Sequence, residues 1–266
     1  MLERTPPSVP PRNRRASRTR DVVVTAREHL TEHMLRVTLG GTNLTPVVHD
    51  SPGAWVKLFV PHPGGEGEHS RAYTIRSHDP FRDEISLDVF LHAGGVMSDW
   101  ARSCHVGEPA RVGGPRSSGA PNRAATELAL FGDETALPAI SAILERELHQ
   151  RHGRPVRAAI ELSDPRDEQE LRAPLHAGIT WLHRGHADAP GALLAEELLR
   201  FPLSTGTGVW FSAEAHAVQS ARRGLRERDL EHLHFHFQGY WRDGVSDYRE
   251  KREGQGGGGP IQDNKL

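Results

Sequence analysis

The sequence predicts a β + α/β protein, in which a small antiparallel β-barrel is followed by an open parallel sheet covered by helices. Between residues 21 and 115, apolar and polar residues alternate in short segments separated by turns rich in glycine and proline, which is typical of half-buried antiparallel strands. After residue 121, short apolar strands alternate with amphipathic helices, and this pattern indicates a parallel sheet. The residues between the two parts, PRSSGAPNRAAT, are rich in Pro, Ser and Gly, so we expect the boundary near residue 120.

In the first part, two segments carry the strand pattern most clearly. Leu35, Val37 and Leu39 alternate with polar residues, and residues 85–91 follow the same pattern. Because successive side chains of a strand point to opposite faces, each segment has one apolar face to bury. Several such strands at short intervals predict a small barrel.

The second part is predicted to contain alternating strands and helices. The helix that begins at Ala136 is the clearest, because Leu137, Ile140 and Leu144 recur on one stripe. The strands are expected at residues 128–131, 155–162, 179–183, 208–212 and 232–238, and the helices at residues 136–151, 192–200 and 214–228.

Composition excludes several classes of protein. The formal net charge is −2, from 33 basic and 35 acidic residues, which argues against a globally basic nucleic-acid binder. The single cysteine, Cys104, excludes an intramolecular disulfide and a Cys-ligated metal cluster. No apolar run approaches the roughly 20 residues of a membrane helix, and the first residues do not resemble a secretory signal. We therefore expect a cytoplasmic protein without a nucleic-acid or membrane partner.

The two ends of the chain differ in composition from the rest. Residues 1–20 contain six arginines, one glutamate and four prolines. Such a segment has too little apolar surface to offset the entropy of ordering, so we expect a disordered basic arm. Residues 249–266 include the run GQGGGGP and are expected to form a flexible glycine-rich tail.

One segment of the first part carries residues suited to a flat, anionic ligand: Arg71-Ala72-Tyr73-Thr74-Ile75-Arg76. On a strand, Arg71 and Tyr73 share one face while Thr74 points to the other. An arginine can bind a phosphate through paired hydrogen bonds, and a tyrosine ring can pack on a planar ligand. An ordinary strand with exposed arginines has the same residue types, so the segment alone leaves both interpretations open.

A glycine-containing turn follows the strand predicted at residues 85–91. It reads His92-Ala93-Gly94-Gly95-Val96-Met97-Ser98, and a helix is expected to begin at Ser98 or its neighbours. Backbone N–H groups at the start of a helix attract anions such as a pyrophosphate, and glycines allow close approach. Glycine-rich turns before helices are common, so the turn fits a pyrophosphate without requiring one.

A third candidate is the turn after the first strand of the second part, Gly132-Asp133-Glu134-Thr135-Ala136. Open α/β sheets bind ligands in the crevice beyond the carboxyl ends of their strands, which makes residues of this turn candidate contacts. The chain contains neither a G-x-G-x-x-G motif nor a Walker A motif. A dinucleotide therefore has to be held by another arrangement.

The last predicted strand suggests a metal site as a competing interpretation. His232, His234 and His236 share one face of that strand, and imidazoles so spaced can bind a transition metal. No carboxylate or cysteine completes such a set, and 17 histidines make a chance arrangement easy. We therefore predict no metal site, while the role of this strand face stays open.

Three motifs in order, RAYTIR at 71–76, GDETALPAI at 132–140 and GYWRDG at 239–244, resemble those of the siderophore-interacting proteins. This family comprises FAD-dependent ferric-siderophore reductases related to the ferredoxin-reductase superfamily. GPR at 114–116 and SAEAHAVQSARRGLRERDL at 212–230 extend the similarity. The resemblance implies a six-stranded FAD-binding barrel over residues 21–120 and a ferredoxin-reductase-like α/β domain over residues 121–248, which binds NAD(P)H and interacts with the siderophore.

The resemblance also implies roles for individual residues. In such proteins the arginine of R-x-Y-T faces the FAD pyrophosphate, the tyrosine packs on the flavin and the threonine approaches flavin N5; Arg71, Tyr73 and Thr74 take these positions. The turn from Gly95 to Ser98 is expected to present backbone amides to the pyrophosphate, and it lacks the proline that many relatives carry there. The expected cofactor contacts are Arg71, Ala72, Tyr73, Thr74, Arg76, His92, Gly94, Gly95, Val96, Met97, Ser98, Asp133, Thr135, Ala136 and Trp241.

The implied reaction needs no acid–base pair. Electrons pass from NADH or NADPH through FAD to Fe(III) in a siderophore, and Fe(II), which hard oxygen ligands bind more weakly, is released in the cytoplasm. Arg116, Arg223 and Arg242 are expected to contact the anionic chelate, although a solvated helix face also suits Arg223. The protein is expected to be a monomer. The alternative is a cytoplasmic carrier that binds a siderophore without reducing it.

Overall fold

The computed structural model describes residues 19–42, 44, 52–62, 65–117, 119–150, 153–185, 188–226, 228, 234–246 and 248. Within these residues the chain forms an antiparallel barrel and a parallel sheet with helices, which confirms the predicted fold class. The predicted basic arm and glycine-rich tail lie outside the described residues, except that the first strand already begins at Thr19. Of the described helices, none is long and apolar enough to cross a lipid bilayer.

Six antiparallel strands close the barrel, in the order β1-β2-β5-β4-β3-β6. They are β1 (Thr19–His29), β2 (Met34–Gly40), β3 (Trp55–Pro61), β4 (Glu68–Asp79), β5 (Glu84–Phe90) and β6 (Pro109–Arg116). Leu35, Val37 and Leu39 are fully buried because every second residue of β2 points into the barrel. Helix α1 (Val96–Ser103) follows β5 and packs Trp100 against the same core.

The second part is a five-stranded parallel sheet with the order β11-β10-β7-β8-β9. Its strands are β7 (Glu127–Asp133), β8 (Val156–Leu162), β9 (Gly178–His183), β10 (Thr207–Glu214) and β11 (His234–Trp241), and its helices are α2 (Leu137–Leu148), α3 (Ala192–Arg200) and α4 (Ala215–Arg226). Every residue of β10 is buried, as expected for a central strand of a sheet covered on both faces.

Several elements differ in their bounds from the sequence prediction: β7 and β10 are each three residues longer than predicted, and α4 is three residues shorter. Helix α2 ends at Leu148 instead of residue 151, because Leu148 is the last apolar residue of its stripe and polar residues follow. Strand β11 continues to Trp241, three residues beyond the predicted end at 238. Its pairing with β10 persists, with a bulge, as far as Glu214 opposite Trp241.

The two faces of the sheet have separate cores. On one face, α3 and α4 bury Phe131 and Phe211. On the other face, α2 shares a core with Met34 and Phe90 of the barrel. The barrel therefore packs against the same face of the sheet as α2.

Polar contacts fix the barrel against the second part. Asp167, in a short 3-10 helix (Pro165–Asp167), accepts hydrogen bonds from the Thr31 hydroxyl at 2.6 Å and the His33 N–H at 3.0 Å. Arg76 of β4 donates two hydrogen bonds to Glu145 of α2, at 2.7 and 3.0 Å. These contacts, made by the turn between β1 and β2 and by β4, fix the orientation of the barrel relative to the second part.

Candidate functional site

Strand β4 carries the RAYTIR segment on the barrel wall. Tyr73 and Ile75 pack against the barrel core, as their shared face predicts. Thr74 is 8% exposed and Ala72 lies at the surface. Burial raises the pKa of the Tyr73 phenol above its ordinary range, so the ring stays neutral and suits packing on a planar ligand.

Arg71 links the barrel to the end of the described chain. Its Nη1 donates to the Ser70 carbonyl at 2.8 Å, and its Nη2 donates to the Ser246 hydroxyl at 3.0 Å. Ser246 lies just beyond the GYWRDG motif. The segment that follows β11 therefore reaches the arginine that the sequence predicts as a pyrophosphate contact.

Arg76, another predicted cofactor contact, is engaged in the interface between the barrel and α2. Besides its two bonds to Glu145, its Nε lies 3.9 Å from Asp88, which also accepts two hydrogen bonds from Arg36. Burial pushes the pKa of Glu145 upward, but the bonds from Arg76 outweigh burial and hold that pKa below its ordinary value. A direct contact between Arg76 and a cofactor stays a prediction.

The glycine turn between β5 and α1 favours glycine at two positions, by its backbone conformation at Gly94 and by close side-chain contacts at Gly95. Gly94 has a φ of +70°, a conformation that side chains disfavour. A Cβ on Gly95 would lie 2.6 Å from the His92 ring and 2.8 Å from the Ser98 Oγ. Gly95 is the N-cap of α1, and no side chain caps the first-turn amides. Such a helix start is suited to bind an anion through its N–H groups.

The side chains around this turn hold it from inside. Ser98 is 1% exposed; its Oγ accepts a hydrogen bond from the His92 N–H at 3.1 Å and donates to the Phe90 carbonyl at 3.4 Å. Met97 is buried in the barrel core, while Val96 is half-buried and His92 is exposed. The helix begins at Val96, two residues before Ser98, so the Ser98 hydroxyl acts within the turn and does not cap the helix.

The GDET turn at the carboxyl end of β7 is organised by a fully buried carboxylate, Asp133. Its Oδ1 accepts from the Thr135 N–H at 3.0 Å and the Thr135 hydroxyl at 2.6 Å. Its carbonyl accepts from the N–H of Ala136, which is also buried. Burial, followed by the charge of Glu134, raises the pKa of Asp133 to about 6. The side chains of these predicted cofactor contacts are therefore engaged inside the protein.

Trp241 ends β11 at the same edge of the sheet. Its Nε1 donates to the Asp133 Oδ2 at 2.8 Å, so the indole is tied to the end of β7. The next residues are tied to β10 and α4: the Asp243 N–H donates to the Glu214 Oε1 at 3.3 Å, and the Arg242 Nη2 lies 3.0 Å from the His216 Nε2. Trp241 and Arg242 thus lie together at the carboxyl edge.

The three arginines predicted as chelate contacts lie in different places. Arg116 ends β6 and is exposed, with its guanidinium 5.2 Å from the centre of the Trp55 ring. Arg223 is exposed on α4 and donates to the Ser220 hydroxyl at 3.3 Å. Only Arg242 of these three directly follows Trp241 at the sheet edge.

The histidine face of β11 is partly described. His236 stacks on Trp210 with a ring-centre distance of 5.8 Å, and a Cβ on Gly119 would lie 2.3 Å from its Nδ1. His232 lies outside the described residues. Within the part of the chain that the structure describes, no three His, Cys, Asp or Glu side chains are grouped as for a metal ion.

Sequence reasoning missed two residues of this region. Glu145 belongs to no motif, so the sequence did not indicate that it contacts Arg76. Ser246 lies outside every motif, although its position shortly after GYWRDG could have suggested proximity to the site. Together, the uncapped start of α1, Arg71 and the neutral Tyr73 ring suit a flat ligand that carries an anionic group.

Comparisons with known proteins agree with this arrangement. The family described as "Siderophore-interacting protein" matches residues 125–244. The "Siderophore-interacting FAD-binding domain" matches residues 23–70 and 63–119. The two matches therefore cover most of the barrel and most of the parallel sheet.

Individual relatives cover most of the chain as well. An uncharacterized protein of Mycobacterium tuberculosis is 31% identical over 255 residues, which span 83% of this chain and 89% of that protein. A ferric vibriobactin reductase of Vibrio cholerae is 28% identical, over 85% of this chain and 91% of that protein. The crystal structure of a siderophore utilization protein from T. fusca has a TM-score of 0.77 at 33% identity, and the match covers 87% of this chain and 95% of that one.

Proposed function

Because the chain belongs to the siderophore-interacting protein family, we propose that it is a flavin-dependent reductase of ferric siderophores. In this proposal NADH or NADPH is the electron donor, FAD is the cofactor and Fe(III) in a siderophore is the acceptor. The chemistry that FAD supplies when bound is acceptance of a hydride and release of its electrons one at a time. Residues 21–120 then form the FAD domain, and residues 121–248 bind the donor and the siderophore.

The observation that carries the proposal is the start of α1. Its N-cap is Gly95, no side chain occupies the first-turn amides, and an added Cβ would collide with the His92 ring. Helix α1 also lies against β4, the strand of Arg71. This surface fits a pyrophosphate, because N–H groups of the helix start and an arginine can share its negative charge.

The remaining predicted contacts are proposed to surround the flavin of the same FAD molecule. Tyr73 lies two residues from Arg71 on the same face of β4, with its ring against the barrel core. Thr74 points to the other face, where its hydroxyl can donate or accept a hydrogen bond. Trp241, held at the sheet edge by Asp133, is the aromatic side chain that we propose covers the flavin.

The acceptor is proposed to bind through local positive charge. The formal net charge of the chain is −2, so no general attraction draws in an anionic chelate. Arg242 beside Trp241 is the arginine best suited to such a contact, since it lies at the edge that carries the proposed flavin cover. We further propose that Fe(II) leaves the chelate in the cytoplasm, because hard oxygen ligands hold it more weakly than Fe(III).

The test uses the purified full chain, incubated with FAD and freed of excess by gel filtration. A ferric chelate is then supplied with NADH, NADPH or a reduced ferredoxin, and Fe(II) is trapped by a ferrous-specific reagent; free FAD at equal concentration is the control. We expect a yellow protein that forms Fe(II) with NADH or NADPH faster than free FAD does. A protein that binds the ferric siderophore but forms no Fe(II) with any donor would instead be a carrier.

A further inference from the structure

The side chain of Asp133 accepts hydrogen bonds from three different parts of the second domain. Its Oδ1 accepts from the N–H and hydroxyl of Thr135 in its own turn. Its Oδ2 accepts from the Glu214 N–H at 2.9 Å and the Trp241 Nε1 at 2.8 Å. One carboxylate therefore ties the carboxyl ends of β7, β10 and β11 together.

This arrangement suits an ionised carboxylate. All four groups that face the two oxygens are donors, and a carboxylate is an acceptor only. An amide brings an N–H donor pair, which would displace at least one of the three N–H partners, whereas a protonated acid can donate its proton only to the Thr135 hydroxyl. Because Asp133 is fully buried, a displaced partner is not rescued by solvent and loses its hydrogen bond.

Trp241 is the first residue of a segment that crosses from the sheet to the barrel. After the indole is fixed on Asp133, Asp243 is held by Glu214, and Ser246 accepts a hydrogen bond from Arg71. The segment of residues 241–246 thus has one end on a buried carboxylate and the other on the arginine proposed to contact the pyrophosphate. A change at Asp133 can therefore alter the position of Arg71 through residues 241–246.

We propose that Asp133 is a positioning residue, which acts as a carboxylate through Trp241 to hold residues 241–246 in register with Arg71. Asp133 is fully buried and both of its carboxylate oxygens are engaged by protein donors, so its effect passes through the indole. The effect that we expect on the rate of chelate reduction rests on the proposed function. The hydrogen bonds between Asp133, Trp241 and residues 241–246 belong to the protein itself. They can therefore be tested without cofactor.

The first test follows the Trp241 indole N–H signal by NMR in the 15N-labelled full chain without FAD. The five tryptophans give five indole signals, and Trp241→Phe identifies the relevant one by its loss. We expect this signal to move with pH with a midpoint near 6, where Asp133 titrates. In Asp133→Asn we expect the signal to shift and to stop responding at that pH. The charged groups near Asp133 are Glu134, Glu214 and Arg184, with His216 next to Glu214.

Glu147→Gln is the matched control, because Glu147 is a buried carboxylate of the second part whose partner is Arg154. We expect it to leave the Trp241 signal and its titration unchanged. Equal shifts in both variants would mean that the signal reports general loosening and would overturn the proposal. If Asp133→Asn does not fold, hydrogen exchange of the wild-type Trp241 indole N–H decides, because exchange as fast as that of a solvent-exposed indole would mean that Asp133 does not hold it and would overturn the proposal.

The second test is a double-mutant cycle on chelate reduction by the FAD-loaded protein. Asp133→Asn is expected to lower the rate about tenfold with Trp241 present and less than twofold in the Trp241→Phe background, because coupled residues are not additive. Additive effects would contradict action through Trp241. If the wild type does not bind FAD or does not form Fe(II), the proposed function is contradicted. The NMR experiment would still test the role of Asp133, because it needs no cofactor.

Discussion

The starts of α1 and α2 are two helix N-termini with opposite surroundings. Both lack a side-chain cap, at Gly95 and Ala136 respectively. Around Gly95 the neighbours are Gly94, the exposed His92 and solvent, and the one acidic residue of the first turn, Asp99, is exposed and paired with Arg102 at 3.3 Å. Helix α2 is instead preceded by the buried carboxylates Asp133 and Glu134. A helix start attracts an anion, and at α2 two buried carboxylates already lie at that position. The barrel turn is therefore suited to a phosphate, and the sheet edge is suited to holding Trp241.

The most severe test of this difference is a side chain on the barrel turn. In Gly95→Val the new atoms would collide with the His92 ring and the Ser98 Oγ. Moving these groups disturbs the amides of α1, so we expect FAD affinity to fall by about two to three orders of magnitude. Titration of the apoprotein with FAD, followed by flavin fluorescence, measures the loss.

Gly178→Val is the control for this substitution. A Cβ there makes only one ordinary contact, at 3.5 Å from Arg157 Cγ, and Gly178 lies in the second part of the chain. We expect its FAD affinity to stay within about twofold of wild type, a difference below about 0.4 kcal/mol. Equal losses in both variants would remove the distinction between the two regions.

The sheet edge is expected to show a pH dependence of stability that originates in Asp133. The pKa of Asp133 is raised from 3.8 to about 6, so the native state binds more protons than the unfolded state between these values. The contribution of Asp133 to the free energy of unfolding is therefore greatest below about pH 4 and is lost as the pH rises through about 6, by up to about 3 kcal/mol.

Urea unfolding of wild type and Asp133→Asn across this pH range measures the effect. The free energy of unfolding of wild type, relative to the variant, is expected to fall as the pH increases. Carboxylates distant from Asp133 titrate alike in both proteins and cancel in the difference, whereas Glu134, whose charge acts on Asp133, contributes to it. A constant difference across the range would contradict a buried, titrating Asp133.

Arg71 is the charged group of the barrel site. Arg71→Ala removes a guanidinium proposed to bind the pyrophosphate, and we expect FAD affinity to fall about tenfold to thirtyfold, as for a charged hydrogen bond. Arg111→Ala is the control, because Arg111 is a barrel arginine engaged with Glu68. Unchanged FAD binding in Arg71→Ala would mean that the R-x-Y-T motif has been assigned to the wrong role.

Arg76 distinguishes a cofactor contact from an interface contact within the same motif. A double-mutant cycle of Arg76→Gln and Glu145→Gln should give a coupling of about 1 kcal/mol in the free energy of unfolding, since the pair is bidentate and partly buried. FAD affinity of Arg76→Gln is measured in parallel. A loss that is absent in Glu145→Gln would support the predicted cofactor contact, whereas equal, small changes in both would contradict it.

The smallest expected effects separate the arginines of the second part. Arg242→Ala is expected to raise KM for an anionic ferric chelate about threefold to fivefold, because Arg242 lies beside Trp241. Arg223→Ala is expected to change KM by less than about twofold, since Arg223 is exposed on α4. The reverse order would place the chelate on α4 and not at the sheet edge.

The fold could be predicted because hydrophobic periodicity carries it. The alternation at Leu35, Val37 and Leu39 and the stripe of α2 are local patterns that survive in the folded chain. Bounds were less predictable: β11 is longer than its periodic core because pairing with β10, which is distant in sequence, continues to Trp241.

Site residues could be predicted where they belong to a motif. Contacts between residues that are distant in sequence could not be predicted. The sequence indicates Arg71, Gly95 and Asp133 as candidates, but the contact between Arg76 and Glu145 depends on how the barrel packs against α2. The bond between Asp133 and Trp241 joins residues 108 positions apart. No spacing rule connects such residues, because the sheet order and the docking of two domains bring them together.

The central claim is tested most directly by a single turnover without oxygen. The full chain is loaded with FAD, reduced with one equivalent of NADH or NADPH, and mixed with an excess of ferric siderophore while flavin absorbance and Fe(II) are followed together. We predict that the flavin absorbance returns while about two Fe(II) form for each bound FAD, since each Fe(III) accepts one electron. A reduced, FAD-bound protein whose absorbance does not return in the presence of the ferric siderophore would contradict the account.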